Sequence, residues 1–249
     1  MHPALKEYAR SFVLLSGGLD STTCLAKAVD YHKHNGGSVV GVSIDYGQRH
    51  IKETQCAKAL CEYYGAEHVV LDMKGFAGDG MLTNKDTAVP NISYDDIKGI
   101  SPTYVPFRNG MMLSRLAAYA QSYVSAVDKQ SHALCVGEDV LDDLCTIYFG
   151  AHAEDAKNWA YPDCTPEFIG AMSNAIYIGT YRAVRLITPF TYSSKADIVT
   201  AGSKLGVPYV MTWSCYKGEE VHCGTCPTCR ARKQAFTEAG VKDPTVYEG

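Results

Sequence analysis

Two clusters of residues in this chain have the types and spacing to do chemistry. The first is Ser16-Gly17-Gly18-Leu19-Asp20-Ser21, set between an apolar run at residues 12–15 and a helical pattern that starts at Asp20. Backbone N–H groups at a helix N-terminus attract anions, and glycines let phosphate oxygens approach the backbone closely. Ser16 and Ser21 add hydroxyl donors, and Asp20 adds a charge that a turn alone does not need. The spacing is neither G-x-x-x-x-G-K-[ST] nor G-x-G-x-x-G. It predicts an anion site at the carboxyl end of a first strand, where open α/β sheets bind ligands.

The second cluster is Cys215-x7-Cys223-x2-Cys226-x2-Cys229. Four thiolates suit a tetrahedral zinc ion with no open position, which makes a structural rather than a catalytic centre. An iron–sulfur cluster also takes four cysteines, and a redox thiol pair is a third reading. Gly224 and Pro227 shape the turns between ligands, and His222 adjoins Cys223 as a spare donor. Arg230, Arg232 and Lys233 read as a solvated helix face, or as compensation for the charge of the thiolates.

The elements that must hold these clusters follow from periodicity. Strands are expected at residues 12–15, 39–44 and 68–71, alternating with helices from Asp20 to Asn35 and over 50–64. That alternation is the mark of a parallel sheet with helices on both faces. Residues 72–105 are rich in Gly, Asn, Asp and Pro and read as a functional loop, a lid over the site, or as a flexible one. A helix over 109–126 follows, then a strand at either 133–136 or 146–149. Further helices are expected over 166–177, over 194–205 with Ser193 or Ser194 as N-cap, and over about 230–239, with a strand at 184–187. The expected fold is a Rossmann-like α/β sheet over 1–206, with a small cysteine-rich region at 207–249 packed on it.

Composition removes several function classes. The chain has 249 residues, enough for a core without disulfide staples. No apolar run reaches the ~18 residues of a membrane span. The N-terminal stretch carries charges where a signal peptide needs apolar residues, so a cytoplasmic protein with reduced cysteines is expected. Lys plus Arg number 23 against 27 Asp plus Glu, and that acidic balance disfavours nucleic acid as a partner.

Ser-Gly-Gly-x-Asp-Ser after a first strand resembles the PP-loop of the ATP pyrophosphatases, whose adenine nucleotide alpha hydrolase-like fold the chain is then expected to share. Members adenylate an oxygen of their substrate, release pyrophosphate and let a nucleophile displace AMP. The resemblance implies that Leu15, Ser16, Gly17, Gly18, Leu19, Asp20, Ser21, Thr22, Thr23, Cys24 and Leu25 bind ATP, with magnesium as its companion ion.

Further stretches resemble one branch of that group, the 7-cyano-7-deazaguanine synthases of the QueC family. They are Asp45-Tyr46-Gly47-Gln48-Arg49-His50, Val105-Pro106-Phe107-Arg108-Asn109-Gly110, Tyr161-Pro162-Asp163-Cys164, Lys195-Ala196-Asp197 and Trp213-Ser214-Cys215-Tyr216. With the first motif they run through nearly the whole chain in order. The family converts 7-carboxy-7-deazaguanine, ammonia and ATP into the nitrile through an adenylated acid and an amide.

That implied chemistry assigns roles. A guanine-like base offers N1–H and an exocyclic amine on one edge, and Asp163 is the expected acceptor of both. Tyr161 or Phe107 is expected to stack on the base, unless they are core aromatics. Arg108 is expected to hold a phosphate or the substrate carboxylate, and Lys195 to neutralise phosphate charge. The catalytic set is then Asp20, Ser21, Arg108 and Lys195. Asp45 either positions magnesium or ribose or caps its strand, Asp20 binds magnesium or caps its helix, and Cys164 packs. Residues 131–151 look longer than the pattern, with an inserted loop between Cys135 and Cys145. No glutaminase segment is apparent, so free ammonia is the expected nitrogen donor, and a homodimer fits the resemblance. Two relatives of this chemistry stay open: an enzyme that stops at the amide, and a tRNA-base sulfurtransferase. A zinc-ribbon binding module on a degenerate nucleotide fold is the non-enzymatic reading.

Overall fold

The computed structural model describes residues 3–47, 51–75, 101, 103–131, 144–217 and 220–248. Five strands form one parallel sheet: β1 (Arg10–Leu14), β2 (Ser38–Asp45), β3 (Glu67–Asp72), β4 (Cys145–Tyr148) and β5 (Val184–Ile187). Their order across the sheet is β3-β2-β1-β4-β5, with every neighbouring pair parallel. The chain therefore winds outward from β1 in both directions, and the crevice between the first loops of the two halves opens above β1.

Among the described residues six α-helices cover the sheet: α1 (Leu19–Asn35), α2 (Ile51–Tyr64), α3 (Arg108–Ser131), α4 (Pro166–Gly179), α5 (Lys195–Lys204) and α6 (Pro227–Glu238). The middle residues of β1 and β2 are buried without a break because helices lie on both faces. Alternate side chains of β1 enter different cores. Phe12 packs with Leu113, Leu116 and Ile169 from α3 and α4. Val13 packs with Leu25, Leu60, Ile198 and Phe236 from α1, α2, α5 and α6. The C-terminal region thus shares a core with the sheet domain, while Trp213 and the four cysteines form a small cluster of their own.

The sequence expectations meet these elements closely. Of the two candidate fourth strands, residues 146–149 fall on β4, and residues 133–136 lie outside the described residues. So do most of the expected insert (132–143, with Cys135), most of the expected lid (76–100), and Gln48, Arg49 and His50. Ser194 is the N-cap of α5, in a capping box with Asp197. The last helix begins at Pro227, three residues before the expected Arg230, because Pro is suited to the first helical turn. Among the described residues no helix is long and apolar enough to cross a membrane.

Candidate nucleotide site and four-cysteine centre

Strand β1 delivers residues 15–18 to the top of the sheet, and Leu15 N–H donates to Val42 C=O at 2.8 Å. The serines then organise the turn. Ser16 N–H donates to Ser21 Oγ at 3.3 Å, the two hydroxyls lie 3.1 Å apart, and Gly18 N–H donates to Ser16 Oγ. Gly17 has φ +82°, and a Cβ there would lie 2.5 Å from the Glu53 carbonyl oxygen of α2. Its own carbonyl accepts the Trp213 N–H at 2.9 Å. Only glycine fits where the loop, the first turn of α2 and the Trp213 segment meet. Gly18, Leu19, Asp20 and Ser21, at the N-terminus of α1 where helical N–H groups lack intrahelical partners, line the cleft.

The β4 and β5 side of the cleft brings charge to the loop. Lys195 Nζ, at the start of α5, lies 3.2 Å from Asp20 Oδ2, and its backbone N–H donates to Glu154 at 2.8 Å. Burial works against the Lys195 ammonium, but Asp20 and Asp155 outweigh it and hold the group well above its usual range. His152 is 1% exposed, with Nε2 3.4 Å from Asp155 and 3.9 Å from Asp20. Asp20 Oδ1 and both His152 ring nitrogens are buried without a hydrogen-bond partner among the described residues. Sequence reasoning passed over His152 and Asp155, which lie in a short 3-10 turn (Ala153–Trp159 and its N-cap) rather than in a periodic element.

The β2 side carries Tyr46, Glu53 and Arg108. Arg108 Nη1 donates to the Tyr46 hydroxyl at 3.4 Å. Burial opposes its charge, but Tyr46, Tyr216 and Asp163 more than offset that. Burial raises the Glu53 carboxyl to about 7 from its ordinary 4.5, against the pull of Arg108. No sequence signal separated Glu53 from an ordinary acidic residue in a first helical turn.

Of the residues expected to bind nucleotide, Leu15, Ser16, Gly18, Leu19, Asp20 and Ser21 line the cleft. Gly17 holds the turn from behind. Thr22, Thr23, Cys24 and Leu25 are buried within α1; the Thr23 hydroxyl meets Tyr209 OH at 3.1 Å, and burial pushes the Cys24 thiol far up. Asp45 is not among the residues that line the cleft; its carboxylate pairs with Lys74 at 2.7 Å and accepts the Gly47 N–H at the end of β2.

Of the residues expected to hold the base, Arg108 and Tyr161 line the cleft and Phe107 and Asp163 do not. Phe107 is 54% exposed and packs edge-on against Phe168. Asp163 is 4% exposed and accepts the Asn109 N–H at 3.0 Å, closing the N-terminus of α3. Tyr161 is held through its hydroxyl by Ser101 and Thr103. Cys164 packs beside Asn109, and burial keeps its thiol protonated.

The four thiols of Cys215, Cys223, Cys226 and Cys229 are buried, and their sulfurs all lie within 4.8 Å of one another, a set that could hold a metal ion. Backbone N–H groups of Thr225 and Cys226 point at the Cys223 sulfur at 3.5 and 3.3 Å. Contacts among these sulfurs draw the Cys226 thiol below its ordinary range and push Cys215 and Cys229 up, so the negative charge falls on Cys226 at the others' expense. His222 is no fifth donor: its Nε2 accepts the Ser214 N–H at 3.1 Å, and its ring lies on Trp213.

Arg232 corrects the expectation of a solvated face. It is fully buried, and its guanidinium donates to Thr212 Oγ1 at 2.8 Å, Tyr209 C=O at 3.1 Å and Asp243 at 3.4 Å. The signal was present in the spacing, since Cys229, Arg232, Ala235 and Phe236 share one helix face. Arg230 and Lys233 stay near the surface, on Thr225 C=O and the Tyr247 ring.

Sheet order and serine-glycine turn together define an α/β protein of the PP-loop kind. A family model described as queuosine biosynthesis protein QueC matches residues 10–240, and the chain belongs to that family. Among its relatives, the 7-cyano-7-deazaguanine synthase of Thermoplasma acidophilum is 41% identical, covering 97% of this chain and 93% of its own length. The synthase of Caldicellulosiruptor bescii is 40% identical, covering 96% of this chain and 97% of its own.

Proposed function

We propose that this chain performs the reaction for which those relatives are named, making 7-cyano-7-deazaguanine from 7-carboxy-7-deazaguanine, ammonia and ATP. The observation that carries the reading is the convergence of the Ser16–Ser21 turn, the Lys195–Asp20 pair and Arg108 on one cleft in a chain of this family. ATP phosphates lie on the N–H groups of the turn and the first turn of α1. The substrate carboxylate attacks the α-phosphorus and pyrophosphate leaves. Ammonia then displaces AMP to give the amide. A second adenylation, on the amide oxygen, lets AMP depart as the nitrogen loses its protons, leaving the nitrile.

No side chain needs to form a covalent bond. Lys195 stabilises charge that develops on the phosphates, and Arg108 orients an anionic group, so catalysis is positioning plus electrostatics. Asp20 suits magnesium, because a buried carboxylate oxygen without a partner is a ligand for a hard cation. Magnesium bound to the phosphates would neutralise their charge. The four cysteines suit zinc as a closed structural centre. In this reading the nitrogen donor is free ammonia, the protein works in the cytoplasm, and residues 207–249 form the metal-bound region packed on the sheet domain.

The test is direct. Purified protein is incubated with 7-carboxy-7-deazaguanine, ATP, magnesium and ammonium, and the base is followed by mass spectrometry. Nitrile with AMP is the expected outcome. Arrest at the amide assigns an amide-forming enzyme, and an unchanged base overturns the substrate.

A further inference from the structure

A carboxylate that reads a guanine-type edge must face the cleft and must have its oxygens free for two donors. Asp163 fails on geometry, since Asn109 N–H occupies it and it lies off the cleft wall. Among the described residues three acidic side chains line the cleft: Asp20, Glu53 and Asp155. Asp20 is paired with Lys195, and Asp155 lies against His152. Among the described residues the Glu53 carboxylate has no hydrogen bond and no ion pair, with Arg108 its only charged neighbour of consequence.

Its position is also suited. Glu53 stands on the β2 side of β1, away from the Lys195–Asp20 pair where phosphates are expected. The first turn of α2 is locked against the loop at Gly17, so the carboxylate has a defined height above the sheet. Tyr46 and Tyr216 line the cleft with it and offer flat surfaces for a ring. A desolvated carboxylate without donors is costly, and a ligand edge with two N–H groups offsets that cost. Adenine fits less well, because its edge sets one donor beside an acceptor whose lone pair would face the carboxylate.

We propose that Glu53 is the specificity residue for the base, accepting N1–H and the exocyclic amine of the 7-deazaguanine. This rests on the reaction proposed above.

The experiment compares 7-carboxy-7-deazaguanine with its analogue lacking the exocyclic amine, on the full-length protein and on Glu53→Gln. The wild-type protein should prefer the parent base by about 100-fold or more in kcat/KM, as a site built for a polar group rejects the analogue without it. In E53Q the parent should lose about 100-fold, mainly in KM, with the KM for ATP within about threefold and the preference collapsed to below about tenfold. A wild-type protein that converts both bases equally overturns the inference without any variant. So does E53Q with wild-type preference. A wild-type protein that binds ATP yet leaves the parent base unchanged overturns the proposed reaction itself, and the role of Glu53 with it.

Discussion

Lys195 and Asp20 meet at 3.2 Å, joining the start of the fifth helix to the first turn of the first. The pair spans the crevice at which the sheet order reverses, so α5 closes one wall of the cleft. Asp20 keeps the ammonium in place before any phosphate arrives, and preorganised charge of this kind costs no rearrangement during reaction.

Removing that charge should therefore act on chemistry. Lys195→Ala should slow AMP formation by roughly 100-fold or more, with the base still bound. Pyrophosphate release measured against substrate concentration checks it, and a variant with the wild-type rate would remove Lys195 from the mechanism.

Gly17→Ala combines a left-handed backbone with a clash against a carbonyl oxygen that cannot rotate aside. Strain of this kind costs about 1–3 kcal/mol. Chemical denaturation should show that loss, and titration calorimetry should show ATP affinity reduced as the turn separates from α2. Gly47, with φ +86° and no atom of the described residues within 4 Å of a Cβ there, is the control: its alanine variant should bind ATP normally.

Arg232 is buried with Asp243, and truncating one member of such a pair leaves the other uncompensated at a cost of about 3–5 kcal/mol. Arg232→Met should lower the unfolding free energy by that order in chemical denaturation. Arg232→Lys should not rescue it, since one ammonium cannot reach Thr212, Tyr209 C=O and Asp243 together.

The four-cysteine cluster and the serine-glycine loop are connected. Trp213 N–H holds Gly17 C=O, and Trp213 Nε1 holds Cys215 C=O. Elemental analysis should find one zinc per chain in the wild-type protein and none in Cys229→Ser. Stripping the metal with a chelator should lower both the melting temperature and ATP affinity. Intact ATP binding after complete metal loss would sever that link.

Glu53 also sets a pH dependence. Burial raises its folded pKa to about 7 from 4.5, so between those values the folded protein holds a proton that the unfolded chain has lost. Stability then falls as pH rises from about 4.5 to 7. Arg108 from α3, Tyr46 after β2 and Cys56 on α2 are the titratable or charged groups around it, and of these only Arg108 is charged across that range. Melting curves across the range should show the slope in the wild-type protein and its loss in Glu53→Gln, and equal slopes would place the titration elsewhere.

What could be read from sequence was local. A strand followed by Ser-Gly-Gly-x-Asp-Ser makes an anion turn by its own backbone, and four cysteines within fifteen residues make a knuckle by spacing alone. Strand and helix periods carried the parallel sheet and the cap at Ser194 for the same reason. The contents of the cleft were not local. Asp163 lies in a promising motif yet closes a helix end, while Glu53 has no motif of its own and faces the cleft. Arg232 turned inward because its face of α6 packs on Tyr209 and the 212–214 segment. Which side chains share a cavity depends on strand order and on which helix covers which face. Those are settled by burial of the whole core, and no short window of sequence contains them.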